Sequence, residues 1–236
     1  MQSEKSLKDH IKNGTEDDLK TAVEEMRTRF LGVSNWIVKN KERTNDNLVV
    51  FNLFSSATQY LQVLNVSIKE HISILALATR SLYELDLTVR LILDDSEGLN
   101  SWCSEAITDK IQVLEGILGI QTVSSMPEQR NILHVEIERL KSLRDKHQLP
   151  TIKSPASAGQ IAQQIGLSDE HRNLYKLFSK VVHPSSYLVN DYKNAASIET
   201  KMILQTHAQL YAWDIFSRIC EHFNVPRDLR EDATYN

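Results

Sequence analysis

Apolar residues recur at three- and four-residue intervals through most of the chain, and few residues interrupt that rhythm. After Thr15 comes EDDLKTAVEEMRTRFLGVSNWIVKNKE, with acids in its first turn and bases in its last. That order complements a helix dipole and predicts a helix capped by Thr15. The segments 46–70, 71–95 and 96–119 carry no breaker strong enough to end a helix early and read as three more. Ser125 opens S-M-P-E, a capping box with proline in the first turn, and predicts a helix running to about His147. TIKSPASAG, starting at Thr151, has loop composition. AGQIAQQIGL reads as a short helix. Ser168 is expected to cap the next, and 197–224 is the last long one. The pattern gives an all-α fold, a multi-helix bundle of about seven or eight helices around a buried central helix at about 71–95. A polar leader, 1–14, precedes a single helical domain, 15–224, with its loop at 150–159. A polar C-terminal tail, 225–236, follows.

The central helix carries the first candidate chemistry. On a wheel of 100° per residue, Ile74, Leu75, Ala78, Leu82, Leu85, Val89, Ile92 and Leu93 form one broad apolar face. The opposite side holds Ser73, Thr79, Arg80, Tyr83, Glu84, Asp86 and Arg90, with Leu77, Leu87 and Leu91 between them. So many leucines among polar groups predict that this side is buried too. Arg80 and Glu84 are four apart and can pair. A buried charge needs a partner. The pair therefore either ties helices together or holds an anion in an internal pocket.

Composition narrows the class. Seven glycines and five prolines in 236 residues leave few turns, which favours long helices. The net charge is −4, without the basic excess of a duplex-binding surface. Two cysteines, Cys103 and Cys220, are too few for a disulfide framework and fit a reducing cytoplasm. The N-terminus has no apolar signal region. The 72–93 stretch is interrupted by charges and makes a poor membrane span. There is no H-E-x-x-H, paired-cysteine motif, phosphate-binding loop or G-x-S-x-G. No metal and no cofactor is implied.

The second candidate segment is YKLFSKVVHPSSY, Tyr175 to Tyr187. Ser179 and His183 are four apart on one helix face, in a stripe with Arg172 and Tyr175. Pro184 disfavours helical geometry at His183, which places His183 at the last turn. The negative helix end there favours imidazolium, and a histidine titrating near neutrality can act as acid or base. A helix-terminal histidine also serves as a plain structural cap.

ATRSLYELDLTVRLIL followed by YKLFSKVVHPSSY resembles a family of bacterial helical proteins of unknown function. Its pattern is Arg-Ser-x-x-Glu on a central apolar helix and a later Tyr-x-x-x-Ser-x-x-x-His-Pro-Ser. Here those residues are Arg80, Ser81 and Glu84, then Tyr175, Ser179, His183, Pro184 and Ser185. The resemblance covers about 70–190. It implies that Arg80 and Glu84 face Ser179 and His183. It makes those four the candidate catalytic cluster, with Arg172, Tyr175 and Ser185 as candidate ligand contacts.

A buried Arg and His in a helical bundle are also similar to the HEPN ribonucleases. Those proteins use Arg and His four to six residues apart in one helix end and commonly act as dimers. This chain departs from that spacing: RNILH (130–134) and RICEH (218–222) have three intervening residues and RDKH (144–147) has two. IAQQIGLSDEHRNLYKL imitates a DNA-binding helix-turn-helix through Ala162 and Gly166. Arg172 then stands where an aliphatic residue belongs, so sequence-specific DNA recognition is not expected. Gly166 fits a helix C-cap instead. The expectation is a cytoplasmic, bacterial, non-catalytic binding or regulatory module in stress response or phage defence. Its partner would be another protein or a second copy. The alternative is a metal-independent ribonuclease, with RNA as substrate and His183 and Arg80 as its catalytic groups.

Overall fold

The computed structural model of the chain describes residues 10–120 and 126–230. Among these the regular structure is all helix, with eight helices of seven or more residues and no strand. The fold is the expected all-α multi-helix bundle. In order they are α1 Glu16–Asn40, α2 Asn45–Ser67, α3 Ile72–Asp94, α4 Ser96–Leu118, α5 Pro127–Lys146, α6 Ala158–Gln164, α7 Ser168–Val181, α8 Ser186–Asn190, α9 Tyr192–Ala195, α10 Ile198–His222 and α11 Arg227–Arg230. The capping box expected at Ser125 lies outside the described residues, as do most of the leader and the last six residues of the tail.

Local chemistry sets several helix ends. The Thr15 hydroxyl accepts from the Asp18 amide, and the Asp18 carboxylate accepts from the Thr15 amide at 2.9 Å. Two orphan donors of α1 are thereby satisfied. Gly166 has φ of +77°, and the Leu167 amide donates to the Ala162 carbonyl. Gly166 therefore ends α6 as a left-handed C-cap. Ser168 is not a cap. It is the first residue of α7, and Leu167 occupies the cap position without a side-chain bond. The left-handed turn at Gly166 brings the chain in with its backbone already oriented.

The described residues divide into two compact units. The first combines residues 10–90 with 158–230. It is built on heptad-like stripes such as Leu19, Val23, Met26, Phe30, Val33 and Ile37 of α1. Phe30 stacks on Phe54 of α2 at 4.6 Å and contacts Phe216 of α10 at 5.2 Å between ring centroids. Lys12, among the last residues of the leader, is bound to this core. The buried Gln209 amide accepts from the Lys12 N–H at 2.9 Å and donates to its carbonyl at 3.0 Å. The chain expected to be a polar tail also begins as structure. Val225 is buried, and Arg230 donates to the carbonyls of Val225 and Cys220. A free carbonyl at a helix end draws in a cation there.

The second unit, 91–120 with 126–157, is a hairpin of α4 and α5 followed by an extended return. Hydroxyls of Ser104 and Thr108 donate to the carbonyls of Pro150 and Ile152, fixing that return along α4. Its buried apolar side chains are few: Ile92, Ile107, Ile137 and Leu140. One division between the units falls inside the 150–159 loop. The other falls within α3, after Arg90.

Candidate functional site

α3 is buried on more than one face, as its scattered leucines suggest, but not along its whole length. Leu75, Ala78, Leu82, Tyr83, Asp86, Leu87 and Val89 are buried, while Ile74 and Leu77 in its first turns are exposed. On the polar side Thr79, Tyr83 and Asp86 are buried, and Phe178 of α7 and Tyr211 of α10 lie against the Tyr83 ring. Arg80 stands at the edge of that cover, with a quarter of its side chain exposed.

Arg80 and Glu84 pair as their spacing predicts, Nε to Oε1 at 2.8 Å. Their partner across the helix interface is Tyr175. Arg80 Nη2 donates to the Tyr175 hydroxyl, and the guanidinium carbon lies 4.8 Å from the ring centroid. The Tyr175 hydroxyl donates weakly to Glu84 at 3.4 Å. Burial and the nearby Glu84 carboxylate push the Tyr175 phenol above its ordinary value, so it stays a donor at neutral pH.

His171 completes the cluster. Its ring stacks on Tyr175 at 4.6 Å, and Nδ1 lies 3.1 Å from the Tyr83 hydroxyl. Burial lowers the His171 pKa, favouring the neutral ring. A neutral ring can accept from Tyr83 at Nδ1, leaving Nε2 to carry the proton. Nε2 faces Gly159 of α6, where an added Cβ would stand 3.1 Å away. Glycine is what lets α6 approach this ring.

The other predicted residues are elsewhere. Ser179 is exposed, and its hydroxyl donates to the Lys176 carbonyl of its own helix. His183 is exposed beyond the last residue of α7. Arg172 is exposed and paired with Asp169. The Ser185 hydroxyl caps α8 by accepting from the Leu188 amide, and it donates to the Lys180 carbonyl. The predicted meeting of Arg80 and Glu84 with Ser179 and His183 therefore does not occur; Tyr175 and His171 take their place. Helix geometry gives the reason. Positions i, i+4 and i+8 drift by about 40° per step and rise about 6 Å. A helix that turns Tyr175 toward α3 turns Ser179 aside and carries His183 past the contact.

A second buried cluster was missed from sequence. Asp86 of α3 is fully buried and accepts from Arg90 Nε at 2.9 Å. Arg90 Nη2 also donates to Asp214 of α10 at 3.0 Å, and Asp214 accepts from Arg218. Asp86 and Asp214 are too far apart in the chain for spacing to pair them. The only hint is that Asp86 and Arg90 repeat the i, i+4 pattern of Arg80 and Glu84.

Family comparison follows the same ground. A family model described as a family of unknown function, DUF5677, matches residues 47–197, more than half of the chain. The chain belongs to the DUF5677 family. The match spans α2 to α9 and takes in every residue of the Arg80 cluster, together with Ser179, His183 and Ser185. Asp214 and Arg218 lie outside it. Comparison with curated proteins and with solved structures gave no match. Among the described residues, no helix is long and apolar enough to cross a membrane. Nor does any group of three or more His, Cys, Asp or Glu among them suit a metal ion.

Proposed function

We propose that this protein is a non-catalytic binding or regulatory module whose partner is another protein or a second copy. The carrying observation is the segment after the His-Pro step. Tyr187, Val189, Tyr192, Ile198, Met202 and Ile203 are all exposed, Ile198 by 73%. Large apolar side chains left exposed so often within one short stretch of chain favour a macromolecular contact. The Arg80 cluster supports the reading from the other side. Its guanidinium is already committed to Glu84 and Tyr175, as a cation that fastens α3 to α7 would be. A bacterial, cytoplasmic setting in stress response or phage defence belongs to the same reading. It rests on the motif resemblance and on two cysteines being too few for a disulfide framework.

A metal-independent ribonuclease is the second reading, favoured by one feature. Arg80, Tyr175 and a histidine with its neutral form favoured lie side by side at the edge of the cover. In that reading His171, not His183, would move the proton, and Arg80 would meet phosphorane charge.

Sedimentation and a labelled-RNA assay on the same protein separate the two. The binding reading expects no cleavage. It also expects an association, with itself or with a partner recovered from cells, that Ile198→Glu with Met202→Glu abolishes at unchanged melting temperature. RNA cleavage lost in His171→Ala or Arg80→Ala, again at unchanged melting temperature, would replace it with the ribonuclease.

A further inference from the structure

We propose that Asp86 and Asp214 share one proton at neutral pH, and that this proton is a built-in pH-sensitive fastening between α3 and α10. Three observations carry it. The two carboxyl groups lie near enough for Asp214 to disfavour a second charge on Asp86. Both accept from the same guanidinium, Arg90, which holds them together. Asp86 Oδ1 is fully buried and has no partner if the group is ionised. A proton on Asp86 turns that orphan acceptor into a donor toward Asp214.

The charges facing the pair lead to the same state. α3 contributes Glu84, Asp86 and Arg90, with Tyr83 beside them. α7 contributes Glu170, and α10 contributes Asp214, Arg218 and Tyr211, whose hydroxyl donates to Glu170 at 2.7 Å. Glu84 is balanced by Arg80. That leaves the carboxyls of Asp86, Asp214 and Glu170 against the guanidinium groups of Arg90 and Arg218. One proton makes the set neutral, and the Asp86 position is the most costly place for a charge. Burial, and then Asp214, hold the Asp86 carboxyl well above its usual range.

The sign of the effect follows from linkage. Unfolded Asp86 loses its proton near pH 4, while folded Asp86 keeps it. The native state therefore binds the extra proton. Its stabilising contribution is complete at acid pH and is lost as pH rises toward the folded pKa. Across that window one proton is worth about a tenfold fall in the folding constant per pH unit. The device is a seam between α3 and α10 that tightens on acidification.

Urea unfolding of the full chain between about pH 5 and 9 tests it, wild type beside Asp86→Asn. Asparagine can still accept from Arg90 and can donate to Asp214 without a titrating proton. The expected result is that the wild-type folding constant, relative to that of Asp86→Asn, falls as pH rises. Parallel profiles would overturn the proposal. Should Asp86→Asn not fold, infrared spectra of wild type with isotope-labelled aspartate decide. A carboxylic-acid carbonyl band at neutral pH is expected, and its absence from the folded protein overturns the shared proton.

Discussion

The Tyr175 hydroxyl accepts from Arg80, and its ring contacts both that guanidinium and His171. Tyr175→Phe keeps the ring and removes the bond, leaving Arg80 to Glu84. The expected loss is about 0.5–1.5 kcal/mol by urea unfolding, toward the lower figure because the site is partly exposed. His171 offers a titration with the opposite sense to that of Asp86. Its folded pKa is depressed by burial, so unfolded chains bind more protons in acid. Stability from this residue is present above the ordinary histidine value of about 6.5 and is lost as pH falls through the folded value. NMR titration should place the His171 ring below the ordinary histidine value of about 6.5. A His171 titration at or above the ordinary value would refute the burial argument.

Helix ends give the sharpest tests among the elements. Thr15→Ala removes one half of the α1 capping box and should cost about 1 kcal/mol. Gly166→Ala meets open space but keeps φ at +77°, so the cost is backbone strain of about 1–2 kcal/mol with no clash. A stability change near zero at Gly166 would mean that α6 ends differently. These elements were legible because long helices declare themselves through a 3.6-residue period and few breakers. The short helices α8, α9 and α11 were not, since four or five residues hold too little period to detect. The site was legible only within one helix. Arg80 and Glu84 follow from their spacing. The sequence stripe through Tyr175, Ser179 and His183 treated helical drift as zero, and so it extended one true contact into two false ones. Asp214 had no local signal at all.

The whole molecule distributes its core unequally. The unit containing α1, α2, α3 and α10 holds the three-phenylalanine stack and most of the buried apolar side chains. The α4–α5 unit buries Ile92, Ile107, Ile137 and Leu140. Opening free energy tracks buried apolar contact. Native-state hydrogen exchange should therefore show α4 and α5 amides exchanging through a cheaper opening than those of α1 and α10. One common opening energy across both units would contradict that picture. Phe30→Ala is expected to cost about 3–5 kcal/mol, because its ring is fully buried between two others.

The grip of Gln209 on residue 12 has a consequence for variation at that position. An amide that takes both the N–H and the carbonyl of Lys12 recognises main chain and ignores side chain. Position 12 is thus open to almost any amino acid, while position 209 is not. Lys12→Ala should be silent in thermal unfolding. Lys12→Pro, which has no N–H to give, should strand a buried acceptor and lower the melting temperature. A chain beginning after residue 12 would carry the same defect twice over, on both the oxygen and the nitrogen of Gln209.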